Sequence, residues 1–480
     1  MEHKTLYEAM RQAGQAAAPP QAVNCLHAIL RNIEQIPFAE RAGCKPHELL
    51  QKHFVVLTVN ELTRKAQAAG HPLALINKKL HVFTGFHWVD VDGDIAKWFL
   101  GEAAHKMGAP QLDARHFEFK EKLFRQLTDY VSKADPPAGT RINLLNGTLY
   151  FVNGEPTIKP HTAADYITHC LPFEYNRSAT APEWQQFLNE VLPASDKQAV
   201  LQEFLSWLFV PTSELKLEKA LLLYGHGSNG KSVVFEVISA MLGKANVSNY
   251  SLSDLTDQRG YHRAELPGHL VNFASEINTK VGVDKFKALV SGEPIDARHP
   301  YGVPFTIEDY AKFIFSANEL PADVEQSHAF FRRFLILPFE KTIPDSQQDK
   351  HLPQRIIERE LPGVLNWCME ALPRLRQQAG FSECEAAARA LKRFQVESDS
   401  VQLYLEDIGM QAGDEERERL TELYGHYRLH IREAGMQPCR RDKFRKRLEG
   451  LGFRVSKMNK GKMVYYKLKS DASDAPVTQK

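Results

Sequence analysis

Leu221-Leu222-Leu223-Tyr224-Gly225-His226-Gly227-Ser228-Asn229-Gly230-Lys231-Ser232 is the stretch on which the reading of the chain turns. An apolar run reads as a strand, and the glycines that follow read as a loop. Ser232-Val-Val-Phe-Glu-Val-Ile-Ser-Ala-Met-Leu242 then reads as a helix ending at Gly243. The loop fits G-x-x-x-x-G-K-[ST], the phosphate-binding P-loop, in the strand–loop–helix context that this motif requires. Gly225 and Gly230 allow the backbone to curl so that successive N–H groups converge on one anion. The helix N-terminus adds the positive end of its dipole. Residues Gly225, His226, Gly227, Ser228, Asn229 and Gly230 form the cradle. Lys231 is placed to reach the β- and γ-phosphates of ATP, and Ser232 to hold Mg²⁺.

The chain has 480 residues, enough for about three domains. Its hydrophobic fraction of 43% and charged fraction of 25% are those of a soluble globular protein. A net charge of +1 means that any nucleic-acid surface must be local. Six scattered cysteines without a C-x-x-C pair argue against a zinc finger and a disulfide framework, and fit a reducing cytoplasm. Met1-Glu-His-Lys-Thr-Leu-Tyr7 has no apolar signal core. No apolar run approaches the roughly 20 residues that cross a membrane.

Residues 1–75 read as a small helical region, with apolar residues at helical spacing from Val23 to Ile33. Residues 76–214 read as an α+β domain. Leu80–Val91 suggests a hairpin turning at Thr84-Gly85, and Asp92-Gly-Asp94 leads into a helix. Asp90, Asp92 and Asp94 alternate as a metal-binding face would, but a turn and helix cap is the plainer reading. A second hairpin is expected at Ile142–Gly154, turning at either Asn-Gly dipeptide. Trp184 and Phe187 read as packing residues.

Residues 215–345 alternate strands with helices, which predicts a mostly parallel sheet covered by helices. His269–Glu276 is an apolar strand ending in an acid, as in a Walker B strand. Glu276 is the candidate to polarise water or help hold Mg²⁺, although Ser275 stands where an aspartate is usual. Asp284–Val290 reads as a short helix stopped by Gly292 and carrying Lys287. Ile295–Phe305 reads as a hairpin with Arg298, His299 and Tyr301 near its tip, which suits single-stranded nucleic acid. Phe313–Asn318 is an apolar strand ending in a candidate sensor of the γ-phosphate. Arg332 and Arg333 precede another apolar strand, and one of them is a candidate arginine finger toward a neighbouring subunit's ATP.

Residues 346–398 read as a helical connector, with a hinge at Glu397–Ser400. Residues 399–470 suggest a winged helix: a helix at Leu420–Tyr427, a second at Arg440–Leu448 with Phe444 and Leu448 inward, and a hairpin turning at Asn459-Lys460-Gly461. Between Met436 and Lys469 there are twelve Lys or Arg against two acids. Such a concentration is the footprint of nucleic-acid binding. Arg440, Arg441, Lys443, Arg445, Lys457, Lys460 and Lys462 are its candidate contacts. Residues 471–480 have the composition of a disordered tail.

Gly225–Ser232, Ser275-Glu276, Lys287 with Ser291-Gly292-Glu293, Ser316-Ala-Asn318-Glu-Leu-Pro321 and Arg332-Arg333 follow one another as in superfamily 3 helicases. The chain resembles the phage and plasmid primase–helicase family, which includes the poxvirus primase–helicase. Upstream, Asn146-Gly147-Thr-Leu, Asp165-Tyr166 and Trp184-Gln-Gln-Phe-Leu188 resemble the domain preceding the motor in that family. The resemblance implies an α/β AAA+ P-loop ATPase core, preceded by an α+β region and followed by the winged helix. It implies a homo-hexameric ring that translocates on single-stranded DNA and unwinds forked duplex using ATP and Mg²⁺. By position Arg333 matches the finger better than Arg332. No primase motif set precedes the motor, so any primase is expected on another chain.

Two other readings remain open at this point. An ATP-switched origin-binding or loading factor would use the P-loop and basic domain without a gripping hairpin. A bifunctional primase–helicase would use carboxylates around Asp90–Asp94 for two-metal chemistry.

Overall fold

The computed structural model describes residues 20–134, 137–152, 154–274, 282–319, 327–434, 438–458 and 461–468. Helices Pro20–Arg31, Gln51–Ala68, Gly93–Met107 and Phe117–Tyr130 pack with a small antiparallel sheet of Leu73–Ile76, Lys79–Phe83 and Trp88–Asp90. Their shared core includes Leu26, Val59, Leu62, Phe99, Leu100, Phe119 and Leu123. The expected boundary near residue 75 therefore falls inside one core running from Ala22 to Val131. The physical reason is the apolar stripe of helix Pro20–Arg31, which packs on the Gly93–Met107 and Gln51–Ala68 helices and on the small sheet. Within the aspartate trio Asp92 is the helix cap: its carboxylate accepts from the N–H groups of Asp94 (2.9 Å) and Ile95 (3.2 Å). Among the described residues no group of three His, Cys, Asp or Glu is arranged to hold a metal ion.

Arg141–Leu144, Gly147–Val152 and Glu155–Lys159 form an antiparallel meander, so the chain turns near both Asn-Gly dipeptides. Trp184 is fully buried and Phe187 nearly so, as packing residues should be. They sit on helix Pro182–Val191, which with Ser195–Trp207 packs against a parallel sheet.

That sheet has five strands: Ala220–Tyr224, Val247–Ser248, Val271–Ala274, Lys312–Ala317 and Phe334–Pro338. Their spatial order is fifth, first, fourth, third, second, and every neighbouring pair is parallel. The first strand is buried on both faces, as a central parallel strand must be. Leu221 and Leu223 face a core shared with Val234, Val237 and Ile238 of helix Lys231–Leu242. Ala220 and Leu222 face Phe286, Phe330, Phe334 and Phe394.

Residues 346–398, expected as a helical connector, pack into the cores of this sheet. Ile356, Val364, Leu365, Leu372 and Leu375 enter the core of the P-loop helix. Phe394, on helix Glu385–Glu397, sets its ring edge-on to Phe331 (5.2 Å) and Phe334 (5.7 Å). The Glu360 carboxylate accepts from the N–H groups of Glu183 and Trp184, both at 3.0 Å, tying the segments before and after the sheet. The expected hinge is a buried helix junction. Asp399 is 3% exposed, caps helix Ser400–Asp407 through the Val401 N–H (3.1 Å) and pairs with Arg447.

The C-terminal unit runs helix Ser400–Asp407, strand Met410–Arg419, helices Leu420–Glu433 and Arg441–Gly450, then strands Arg454–Met458 and Gly461–Leu468. The last strand lies between the other two, antiparallel to both. Phe444 and Leu448 are fully buried, as their spacing predicts. No helix among the described residues is long and apolar enough to cross a membrane.

Replacing a fully buried phenylalanine by alanine costs about 3–5 kcal/mol. Phe394→Ala is expected to lower the stability of the parallel-sheet domain by that amount in urea unfolding. Phe117→Ala, at a side chain 72% exposed, should cost no more than about 0.5 kcal/mol. Equal losses would place residues 346–398 outside the motor core.

Candidate functional site: a phosphate loop at the edge of a parallel sheet

Parallel strands deliver their C-terminal ends to one edge, where ligands of open α/β sheets bind. Tyr224 is in register with Ala317 on one side and Pro338 on the other. The chain then enters the loop, with the Gly225 N–H donating to the Ala317 carbonyl at 3.1 Å. Asn318, the next residue after Ala317, is exposed beside the loop entrance. Ala274 ends its strand opposite Phe315, so the acidic strand points to the same edge. Ser275 and Glu276 lie outside the described residues.

The loop admits only glycine at two positions. A Cβ on Gly225 would stand 2.3 Å from both the Asn229 amide nitrogen and the Phe339 carbonyl oxygen. Gly230 has φ +88°, and a Cβ there would stand 2.9 Å from both Phe187 and Val191. Ser228 is also left-handed, with φ +60°, and its carbonyl accepts from the Ile343 N–H at 2.7 Å. The strap after the last strand thereby braces the loop.

Helix Lys231–Leu242 begins directly after Gly230. Lys231 is buried at 7% exposure. Its ammonium donates to the carbonyls of Gly225 and His226 (3.4 Å) and to Asn229 Oδ1 (2.9 Å). Burial lowers its pKa from the ordinary lysine value. A desolvated cation whose partners among the described residues are neutral dipoles gains from an anion placed in the same cradle. Ser232, in the first turn of the helix, is exposed. The glycine cradle, the buried ammonium and the accessible hydroxyl fit the phosphates and Mg²⁺ of a nucleoside triphosphate.

The two arginines part company. Arg333 is buried, with its Nε and Nη2 donating to Ser291 Oγ at 3.2 and 2.8 Å, and Nη1 to the Ala329 carbonyl. Arg332 has a side chain 49% exposed and pairs with Glu218 at 3.1 Å. Within this protomer the outward-facing guanidinium is that of Arg332, not the position favoured by the motif match.

The expected hairpin is present, as Ile295–Ala297 paired with Phe305–Ile307. Its root is held by Arg263, whose side chain is fully buried. Arg263 donates to the carbonyls of Asp296 (2.7 Å), Leu255 (2.9 Å) and Asp257 (2.7 Å), and to the Asp296 carboxylate (2.9 Å). Burial opposes ionisation of Asp296, but Lys285 and Arg263 hold its pKa below the usual range. The tip is open: Tyr301 is fully exposed, with φ +61°, and Val303 is 83% exposed. Arg298 is exposed as well. His299 instead folds back, stacking on Phe305 (5.1 Å) with Nδ1 3.4 Å from Glu265. Lys287 lies 3.9 Å from Asp284 on helix Val283–Val290.

In the C-terminal unit Arg440, Arg441 and Lys443 are exposed, while Arg445 is partly buried and pairs with Glu449 at 2.7 Å. Lys457 and Lys462 stand directly opposite each other on the hairpin. Lys460 lies outside the described residues. Sequence reading missed Arg263, whose neighbours give no charge pattern. It also missed Arg389 and Arg393, which border a cavity at the loop entrance and whose i,i+4 spacing was the available signal.

Residues 74–193 match the family described as D5 N terminal like, and residues 223–333 match the one described as Family of unknown function (DUF5906). The first span contains the Asn146-Gly147, Asp165-Tyr166 and Trp184–Leu188 stretches. The second contains the phosphate loop, helix Lys231–Leu242 and three of the five parallel strands in full. No curated protein matches the chain. Similar solved structures include apo forms of the C-terminal region of NrS-1. One has 12% identity over 85% of this chain and 98% of that chain, with a TM-score of 0.47. A second has 12% identity over 86% and 99%, with a TM-score of 0.46. A third has 12% identity over 74% and 78%, with a TM-score of 0.45.

Proposed function

We propose that the chain is an ATP-driven DNA helicase of the phage-type primase–helicase class, with an AAA+ motor and a C-terminal winged helix. The observation that carries the reading is the phosphate loop itself: two positions that exclude any side chain, a buried Lys231 ammonium, and Asn318 at the neighbouring strand end. The match of residues 74–193 to a D5 N terminal like family supports the class.

In this reading Lys231 neutralises the β- and γ-phosphates and Ser232 holds Mg²⁺ with Glu276. Glu276 also polarises the attacking water, and Asn318 senses the γ-phosphate. The subunits form a ring, taken to be a hexamer, around single-stranded DNA. Arg298 and Tyr301 at the open hairpin tip meet the strand, with Lys287 beside them, while His299 braces the hairpin. The basic C-terminal unit holds DNA near the ring. The facing Lys457 and Lys462 favour that role, since like charges directly opposite are destabilising without an anion between them. Arg332 is the guanidinium available to a neighbouring subunit's ATP.

The first test is steady-state ATP hydrolysis with and without single-stranded DNA. DNA should stimulate the wild type, and Lys231→Ala should lower turnover by about a hundredfold or more. Hydrolysis unaffected by Lys231→Ala would sink the assignment. A second test separates the arginines. Arg333→Ala leaves Ser291 and Ala329 without their buried donor and should cost about 1–3 kcal/mol of stability in urea unfolding. Arg332→Ala should change stability by no more than about 0.5 kcal/mol yet reduce turnover of the assembled protein. The reverse pattern would return the trans-acting role to Arg333.

A further inference from the structure

A cavity of about 1050 Å³ lies behind the parallel sheet, at the edge away from the phosphate loop. Leu270, just before strand Val271–Ala274, and Lys312, the first residue of strand Lys312–Ala317, border it. Facing them are Lys78, from the turn between two strands of the small N-terminal sheet, and Arg141 and His169 from the segment around the meander. The cavity therefore sits where three parts of the chain meet. Ligands of open parallel sheets use the opposite edge, so the phosphate-loop motifs do not account for it.

Its polar groups are incompletely satisfied. The Arg141 side chain is only 8% exposed. Its Nη1 donates to Asp165 at 3.3 Å and its Nη2 to the Pro137 carbonyl, while Nε has no hydrogen-bond partner among the described residues. His169 Nε2 is buried without a partner as well. Burial, with His87 nearby, lowers the His169 pKa to about 3, so the imidazole is neutral near pH 7. Folded proteins leave few buried polar atoms unpaired, because each one is costly.

The charges are unbalanced in one direction. Asp165 is matched by Arg141, and Glu214 by Arg376 at 2.6 Å. Lys78 and Lys133 are both exposed and pair with no carboxylate among the described residues. A backbone bridge between Leu75 and Lys133 sets the two lysines on adjacent segments. The cavity also has a fixed aromatic wall: Tyr166, with φ +51°, stacks on Trp88 at 5.6 Å. Cations at the rim suit phosphate oxygens, while an aromatic ring and a neutral imidazole suit the face and edge of a base. The volume is at the upper end of the range for small-ligand sites.

We propose that this cavity binds a nucleotide separate from the one at the phosphate loop, with its phosphates on Lys78 and Lys133 and its base against Tyr166 and His169. One strand joins the two sites. Lys312 stands at its cavity end, donating to the Val210 carbonyl at 2.7 Å, and Ala317 at the other end accepts from the Gly225 N–H of the loop.

The test is equilibrium titration of a fluorescent ATP into the full chain, wild type and Lys231→Ala, the latter removing the phosphate-loop lysine. The wild type should bind two ATP per chain and Lys231→Ala one. Adding Lys78→Ala/Lys133→Ala to the Lys231→Ala protein should weaken the remaining binding roughly tenfold or more, the scale of a lost charge-assisted hydrogen bond. Both lysines are exposed, so the fold should be kept, which thermal midpoints check. Inorganic tripolyphosphate should compete less well than unlabelled ATP. Loss of all binding in Lys231→Ala, with one ATP bound by the wild type, would overturn the proposal and leave the phosphate-loop reading intact. Binding indifferent to the lysine pair would overturn it too. Competition by tripolyphosphate as strong as by ATP would overturn the assignment of a nucleotide.

Discussion

A lysine ammonium withdrawn from water at the edge of a parallel sheet sets the terms for the rest of this structure. Burying a cation is costly unless dipoles or an anion surround it. Here the loop's own carbonyls and Asn229 supply the dipoles, and they do so because the backbone curls where no side chain fits. That curl needs walls. The Phe339 carbonyl closes on Gly225 from just after the last strand of the sheet, and Phe187 and Val191 close on Gly230 from a helix that precedes the sheet in sequence. The site therefore depends on packing between segments more than a hundred residues apart. This is why the helices before and after the sheet share one core with the P-loop helix.

Around that fixed edge the structure alternates rigid roots with open tips. Arg263 gathers three carbonyls and a carboxylate at the base of the hairpin, leaving Tyr301 and Val303 outside. A hydrogen-bonded root of this kind moves as a unit with the segments it joins. Asp257 precedes strand Val271–Ala274 and Asp296 lies in the hairpin, so Arg263 ties the segment before that strand to the hairpin root. Helix Glu385–Glu397 repeats the arrangement toward the C-terminal unit, rooted by Phe394 and continued through Asp399 to Arg447.

Much of this was legible in the residues, and the failures have physical causes. The strands of the parallel sheet announced themselves because parallel strands buried on two faces need continuous apolar runs, as in Leu221-Leu-Leu. Phe444 and Leu448 were placed correctly because a helix of alternating cations leaves few apolar residues to turn inward. Strand Met410–Arg419 escaped notice because its Asp-Glu-Glu-Arg-Glu-Arg sequence has no apolar period, and its middle is exposed. The expected domain boundaries near 75, 214 and 346 fall within shared cores. Composition changes there, but hydrophobic contacts cross each point, and long-range packing leaves no local mark. The burial of Arg333 was likewise invisible, since two adjacent arginines look alike until Ser291 is brought beside one of them.

The most direct measurement of the central claim is strand displacement on a forked DNA duplex with ATP and Mg²⁺, comparing wild type with an Arg298→Ala/Tyr301→Ala variant. The account predicts unwinding by the wild type. It predicts that the hairpin variant retains basal ATP hydrolysis but loses displacement, because the tip grips the strand while the sheet edge holds the nucleotide. A variant that unwinds as well as the wild type would contradict that division of labour. A wild type that hydrolyses ATP without separating strands, on any fork polarity, would contradict the motor itself.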